Sequence, residues 1–69
     1  MQKISVIIAN RHPTSISLEK EFLDELKNIA LAQKKSINQI VTEIDSSRDK
    51  KNLSSAIRIY ILIYIKSQY

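Results

Sequence analysis

The side chains of this chain that are best suited to bind a ligand lie around one predicted helix start. Ser36 is a good N-cap, because its hydroxyl oxygen can accept a hydrogen bond from an N–H group one turn further on. A helix N-terminus also presents free N–H groups and the positive end of the helix dipole, which together favour an anion. Asn38 can add a side-chain donor, and Lys34 and Lys35 place two positive charges just before the helix. The pattern predicts an anion-binding site here.

Residues that could perform catalysis or bind a metal are scarce. The chain has no glycine, and phosphate loops, Rossmann turns and nucleophile elbows all need glycine where the backbone approaches tightly. It has no cysteine, which excludes disulfides, cysteine nucleophiles and cysteine-based metal sites. The one histidine, His12, lies in a predicted turn and cannot hold a metal alone. We therefore expect no enzyme, no cofactor and no metal site.

The length and charge of the chain limit its organisation. Its 69 residues form at most one small domain, which would be only marginally stable as a lone monomer. Without disulfides or a metal, oligomerisation is the remaining source of stability. The net charge of +4 suits a polyanionic partner but does not prove one. No signal peptide and no apolar run of about 20 residues is recognisable, so we expect a cytoplasmic protein without a membrane partner.

Two segments near the N-terminus alternate in polarity, as strands do. Residues 3–9 are rich in β-branched side chains and form the first predicted strand. A predicted turn over residues 10–13 follows. Residues 14–18 form the second predicted strand, with Ser15 and Ser17 on a polar face and apolar side chains on the opposite face.

Three helices are predicted over the rest of the chain. The first covers residues 19–34, with acidic side chains early and lysines late, as the helix dipole favours. The second covers residues 37–46 and repeats apolar side chains at i, i+3, i+4 and i+7. The third covers residues 53–67, follows the N-cap candidate Asn52, and is apolar nearly all round over residues 59–65. Such a helix must be buried on more than one side, so we expect a partner chain to cover it.

The order strand, helix, helix at this length resembles the ribbon-helix-helix family, to which Arc and MetJ belong. The resemblance extends over about residues 3–66. It rests on the sequence Thr-Ser-Ile-Ser-Leu-Glu at residues 14–19, on Ser36 and on the sequence Asn-Leu-Ser-Ser-Ala at residues 52–56. These segments are similar to those of a bacterial subfamily of short proteins with an additional C-terminal helix. The resemblance implies a single mainly helical domain over residues 1–69 with a short N-terminal β segment.

The resemblance also implies how such a protein works. Two chains would pair their strands of residues 14–18 into an intermolecular antiparallel ribbon above the interlocked helices of an intertwined dimer. The ribbon would lie in the major groove of double-stranded DNA, with Ser15 and Ser17 at the base edges. Arg11 has the same strand parity and could supply a longer arm. Serine can both donate and accept hydrogen bonds, so it discriminates bases poorly.

Two further sets of residues follow from the resemblance. The phosphate contacts would come from the start of the second helix, namely Lys34, Lys35, Ser36 and Asn38. The homodimer interface would be formed by Ile16, Leu18, Ile40, Val41, Ile44, Ile57, Tyr60, Ile61 and Tyr64. No cofactor is implied.

Two functions are open on the sequence. The first is a DNA-binding transcription regulator of the bacterial repressor type. The alternative is a protein-interaction module or antitoxin-like adaptor, in which the same dimer would hold a partner protein on the apolar third helix. Binding to DNA would weaken steeply with salt, whereas an apolar contact would not. The position of the strand of residues 3–9 is also open, because it could pair beside the ribbon as a hairpin or cross to the other subunit.

Overall fold

The computed structural model describes residues 1–47 and 52–68, which form two strands followed by three helices. This is the mainly helical fold with a short N-terminal β segment that the sequence predicted. No helix within the described ranges is long and apolar enough to cross a bilayer. The elements are β1 (Gln2–Ile8), β2 (His12–Leu18), α1 (Lys20–Gln33), α2 (Ile37–Ser47) and α3 (Leu53–Gln68).

The two strands pair with each other as an antiparallel hairpin of one chain. Ser5 lies opposite Ser15 at the centre of a register that runs without interruption from one end to the other. The open question about the first strand is thus answered by the hairpin arrangement, while the intermolecular ribbon of a dimer stays a prediction. The physical reason is proximity in the chain, since a short turn brings β1 beside β2 at little entropic cost.

The hairpin turn is tight and contains no glycine. Ala9 and Asn10 have φ angles of 55° and 59°, and the N–H of Arg11 donates to the Ile8 carbonyl at 3.0 Å. Two consecutive left-handed residues are typical of a type I′ turn, whose twist suits antiparallel strands. Asparagine adopts this conformation readily but alanine does not. The pairing of the strands therefore holds the turn closed at Ala9.

The second strand begins earlier than predicted, at His12, so His12 and Pro13 belong to the strand and not to the turn. Proline was expected to limit pairing because it has no N–H. Pro13 lies opposite Ile7, whose own N–H points away from β2 and towards Asn38. In such a pair neither residue bonds across the hairpin. The missing N–H of Pro13 therefore costs no hydrogen bond between the strands.

One hydrophobic core lies between the inner face of the hairpin and the three helices. β1 packs mainly on α2, and β2 packs on α3 and α1. Ile16 and Leu18 point into this core while Ser15 is exposed, as the alternation of residues 14–18 predicted. The side chains with almost no solvent exposure are Val6, Ile16, Leu18, Leu26, Ile40, Val41, Ile57 and Ile61.

A single chain covers most of the apolar surface that was expected to need a second chain. The residues predicted for the homodimer interface all lie in the core of one chain or pack against it. The reason is that β1 and α3 supply the cover from within the chain. These residues are Ile16, Leu18, Ile40, Val41, Ile44, Ile57, Tyr60, Ile61 and Tyr64. The apolar side chains that α3 leaves exposed are different ones, Ile59, Leu62 and Ile63.

Candidate functional site

The outward face of the hairpin carries polar side chains from both strands and, nearer the turn, the exposed apolar pair Ile7 and Pro13. Lys3 and Ser5 of β1 lie opposite Ser17 and Ser15 of β2, respectively. Lys3, Ser5 and Ser15 are exposed, and Ser17 is half-buried. We call these four residues the ribbon face. The sequence predicted the outward direction of Ser15 and Ser17, but not the contribution of Lys3 and Ser5, because the position of the first strand was open.

Arg11 lies at the end of the hairpin and is exposed. The sequence interpretation gave it the strand parity of Ser15 and Ser17. The structure places it in the turn, directly after the two left-handed residues, so strand parity does not define its direction. Arg11 therefore adds positive charge at the tip of the hairpin and is not part of the ribbon face.

The outer edge of β1 is bonded to the first turns of α2. The N–H of Ile7 donates to Asn38 Oδ1 at 3.1 Å, and the N–H of Ala9 donates to Thr42 Oγ1 at 3.0 Å. These bonds occupy an edge that would otherwise be free to pair with another strand. Asn38 was predicted as a phosphate ligand. Its side-chain oxygen is engaged here, whereas its amide NH₂ group is still a donor.

The outer edge of β2 is bonded to α3 in a corresponding way. The N–H of Ser17 donates to Ser54 Oγ at 3.4 Å, and Arg58 Nη2 donates to the Ser17 carbonyl at 3.4 Å. Arg58 Nε also donates to Glu19 Oε1 at 2.9 Å. This charge-assisted hydrogen bond is the main cause that holds the pKa of the Glu19 carboxyl below its ordinary value. α3 thus borders the Ser17 end of the β2 edge.

The start of α2 has the cap that the sequence predicted. Ser36 Oγ accepts from the N–H of Gln39 at 3.0 Å, and Gln39 Oε1 accepts from the N–H of Ser36 at 2.8 Å. This reciprocal pair is a capping box. The first N–H groups of a helix have no partner within it, so those of Ile37 and Asn38 point out of the helix end. They remain available to an external acceptor.

A cavity of about 350 Å³ lies between this helix start and the hairpin turn. The side chains of Asn10, Ser36 and Asn38 lie on its wall, together with those of Thr42 and Glu43. The cavity is therefore lined by hydroxyl and amide groups, which can donate hydrogen bonds to an anion. Its one acidic wall residue, Glu43, is neutralised by an ion pair to Lys35 at 2.8 Å.

The two lysines before α2 differ in their surroundings. Lys34 ends α1 in a left-handed conformation, with φ of 57°, and its side chain is exposed. Within the described residues it has no ion pair. Lys35 is the partner of Glu43. Because an exposed ion pair is weak, Lys35 can exchange its carboxylate for another anion, but Lys34 carries its charge without that competition.

The comparison with known proteins agrees with this geometry. A family model described as the ribbon-helix-helix domain matches residues 1–65, which include both strands, α1, α2 and most of α3. No curated protein and no solved structure matches the chain.

Proposed function

This chain belongs to the ribbon-helix-helix domain family, and on that premise we propose that it is a sequence-reading transcription regulator that binds double-stranded DNA through its hairpin. The family is generally one of non-enzymatic DNA-binding regulators. The observation that carries the proposal is the ribbon face, a polar and basic two-stranded surface on a chain of net charge +4. A regulator of the bacterial repressor type would work in the cytoplasm and without a cofactor.

The ribbon face would enter the major groove. This groove is about 12 Å wide and admits a two-stranded ribbon. Ser15 and Ser17 would then lie at the base edges, and Arg11 would lie at the end of the hairpin, within reach of the groove wall. Serine side chains are short, so the approach of the backbone to the bases would have to be close.

The start of α2 would hold the DNA backbone in place. A phosphate oxygen would accept hydrogen bonds from the N–H groups of Ile37 and Asn38. The hydroxyl of Ser36 and the charges of Lys34 and Lys35 would lie beside it. The helix dipole favours an anion at this position. Contacts of this kind set the position of the protein and carry no base information.

Replacing Lys34 by alanine is expected to weaken binding to all DNA sequences alike. Each lost phosphate contact lowers the slope of log K against log salt by about 0.9. Lys35→Ala should change the slope less, because Lys35 must first leave Glu43. The measurement is a fluorescence-anisotropy titration at several salt concentrations on a preferred and a random duplex. The control is Lys27→Ala, which removes the same charge from an exposed position of α1. Equal slopes for Lys34→Ala and Lys27→Ala would place the anchor elsewhere.

A homodimer is the second part of the proposal, since members of this family typically bind DNA as dimers. The exposed side chains Ile59, Leu62 and Ile63 of α3 have the spacing i, i+3, i+4 and therefore form one stripe. Packing this stripe on its copy in a second chain would remove apolar surface from water.

Leu62→Glu should therefore shift the wild-type dimer to a folded monomer. The expected result is a halved mass in sedimentation with an unchanged circular dichroism spectrum. A wild-type protein that sediments as a monomer at micromolar concentration would contradict the dimer. The position is suited to this test because the Leu62 side chain is 49% exposed, so the change does not disturb the core.

The same stripe also favours a second candidate function. A protein-interaction module or antitoxin-like adaptor would seat a partner protein on Ile59, Leu62 and Ile63. Binding of such a partner would change little with salt and would be lost in Leu62→Glu. DNA binding would show the opposite response to salt.

A further inference from the structure

The outer edge of β2 is open to a further strand around Ser15. The N–H of Ser17 points away from β1 and bonds to α3, and alternate residues of an antiparallel strand face the same edge. The backbone groups of Pro13 and Ser15 therefore face this edge as well. Pro13 has no N–H, and Ser17 uses its N–H and its carbonyl on α3. Within the described residues, Ser15 is thus the position where both backbone groups of this edge are free.

The outer edge of β1 is less suited to pair with another strand. The N–H groups of Ile7 and Ala9 at this edge are bonded to α2. Lys3 lies on the remaining part of β1, and a lysine on an edge strand opposes pairing with a further strand. The hairpin can therefore be extended at the β2 edge more readily than at the β1 edge.

The open edge of β2 lies on the same side of the chain as the apolar stripe of α3. Ser54, Arg58 and Leu62 are spaced by four residues and so form one row along this helix. Ser54 and Arg58 bond to the β2 edge, and Leu62 of the stripe follows one turn later. An antiparallel strand edge is complementary to its own copy under a two-fold rotation. One second copy of the chain can therefore pair with the edge and cover the stripe together.

A two-fold axis at Ser15 uses the free backbone groups of the edge. Ser15 and Ser15 of the partner subunit would exchange two hydrogen bonds, as residues directly opposite each other do in such a pair. Pro13 of the partner subunit would lie opposite Ser17. Its carbonyl could accept from the N–H of Ser17, which would leave the long bond of 3.4 Å to Ser54. The Ser17 carbonyl, however, would find no N–H on the facing proline.

Arg58 already supplies a donor to that carbonyl. Its Nη2 donates to the Ser17 carbonyl at 3.4 Å, and its Nε is held by Glu19 Oε1 at 2.9 Å. With the axis at Ser15 this contact is kept. An axis at Ile16 would instead bring the N–H of Ser15 of the partner subunit to the Ser17 carbonyl and displace Arg58. The contact of Arg58 therefore favours the axis at Ser15.

We propose that a second copy of this chain pairs on the β2 edge about a two-fold axis at Ser15, and that Arg58 completes this ribbon by donating to the Ser17 carbonyl in place of the N–H that Pro13 of the partner subunit lacks. This inference rests on the proposed homodimer and names the residues of its interface. Arg58 is a positioning residue, because it acts on the ribbon strand and lies outside the ribbon face.

Cysteine cross-linking tests the position of the axis. The chain has no cysteine, so introduced thiols react without competition. Ser15→Cys places two cysteines at the axis, with Cα atoms expected about 5.5 Å apart, which a disulfide can span. Oxidised Ser15→Cys protein should run as a disulfide-linked dimer. The control Ser46→Cys, at an exposed position of α2, should stay monomeric.

Three results of this experiment would overturn the inference. The first is folded Ser15→Cys protein that does not cross-link, and the second is equal cross-linking of Ser15→Cys and Ser46→Cys. The third uses a mixture of Ser15→Cys and ¹⁵N-labelled Ser17→Cys chains, whose disulfides are identified by mass. Mainly mixed disulfides would place the axis at Ile16.

Sedimentation of diluted protein tests the role of Arg58. Arg58→Met should raise the dissociation constant of the dimer about 30-fold, since two hydrogen bonds are lost per dimer. Adding Pro13→Ala should recover most of this loss, because the N–H restored at position 13 can donate to Ser17 of the facing chain. The control Glu19→Gln, which removes the ion pair and keeps the guanidinium, should have a smaller effect. No recovery with Pro13→Ala, or an equal loss in Glu19→Gln, would overturn this role.

DNA binding is measured separately, so that the two proposals can fail independently. Wild-type protein that binds a selected duplex while Ser15→Cys stays uncross-linked would overturn the inference alone. A cross-linked Ser15→Cys dimer, together with wild-type protein that binds no duplex at low salt, would support the inference and overturn the proposed function.

Discussion

Replacing Ile61 by aspartate is expected to unfold most of the protein. The Ile61 side chain is 0% exposed in the centre of the core, where α3 faces the hairpin and the other helices. An unpaired charge at such a position costs several kcal/mol, which is comparable to the whole free energy of unfolding of a small domain. The measurement is urea denaturation followed by circular dichroism.

The matched control for this experiment is Leu31→Asp in α1. The Leu31 side chain is 79% exposed, so the same charge enters at a position in water. The expected loss is about 1 kcal/mol or less, from helix propensity alone. Equal losses for Ile61→Asp and Leu31→Asp would contradict the described core.

Leu18→Ala is expected to lower the free energy of unfolding by about 2–5 kcal/mol, as for other fully buried leucines. The Leu18 side chain is 0% exposed at the end of β2. Ser15→Ala, on the opposite face of the same strand, should change it by no more than about 0.5 kcal/mol. Thermal melts of the two variants provide the comparison. The reverse ranking would mean that β2 is shifted by one residue, because such a shift exchanges the faces of a strand.

The features that depend only on residues close together in the sequence could be predicted. The alternation over residues 14–18 identified the outward serines and the inward Ile16 and Leu18. The caps of α2 and α3 were also predictable, since a cap needs only a suitable side chain before an apolar repeat. Ser36 bonds to Gln39, and Asn52 Oδ1 accepts from the N–H of Ser54 at 2.9 Å.

The pairing of β1 with β2 could not be predicted. The sequence shows two strands, but strand pairing depends on contacts across the hairpin, and the turn at Ala9 and Asn10 lacks the glycine that usually signals such a turn. Pro13 favoured a longer turn in the sequence. Its place opposite Ile7, where the missing N–H costs no hydrogen bond between the strands, follows only from the register of the hairpin.

The surroundings of the predicted phosphate ligands were also beyond the sequence. Asn38 bonds to the edge of β1. Lys35 pairs with Glu43 of α2, eight residues later in the chain. The edge of β1 comes close to Asn38 only when α2 packs beside the hairpin. The residues that border β2, Ser54 and Arg58, were missed for the same reason.

Binding of the ribbon face to the major groove of DNA is tested most directly by an NMR titration. Backbone amide signals of ¹⁵N-labelled protein would be followed while a duplex selected from random sequences is added. The largest shift changes are expected on Lys3, Ser5, Ser15 and Ser17, with a second group at Ile37 and Asn38. No shift changes at low salt, or changes confined to the stripe of Ile59, Leu62 and Ile63, would contradict it.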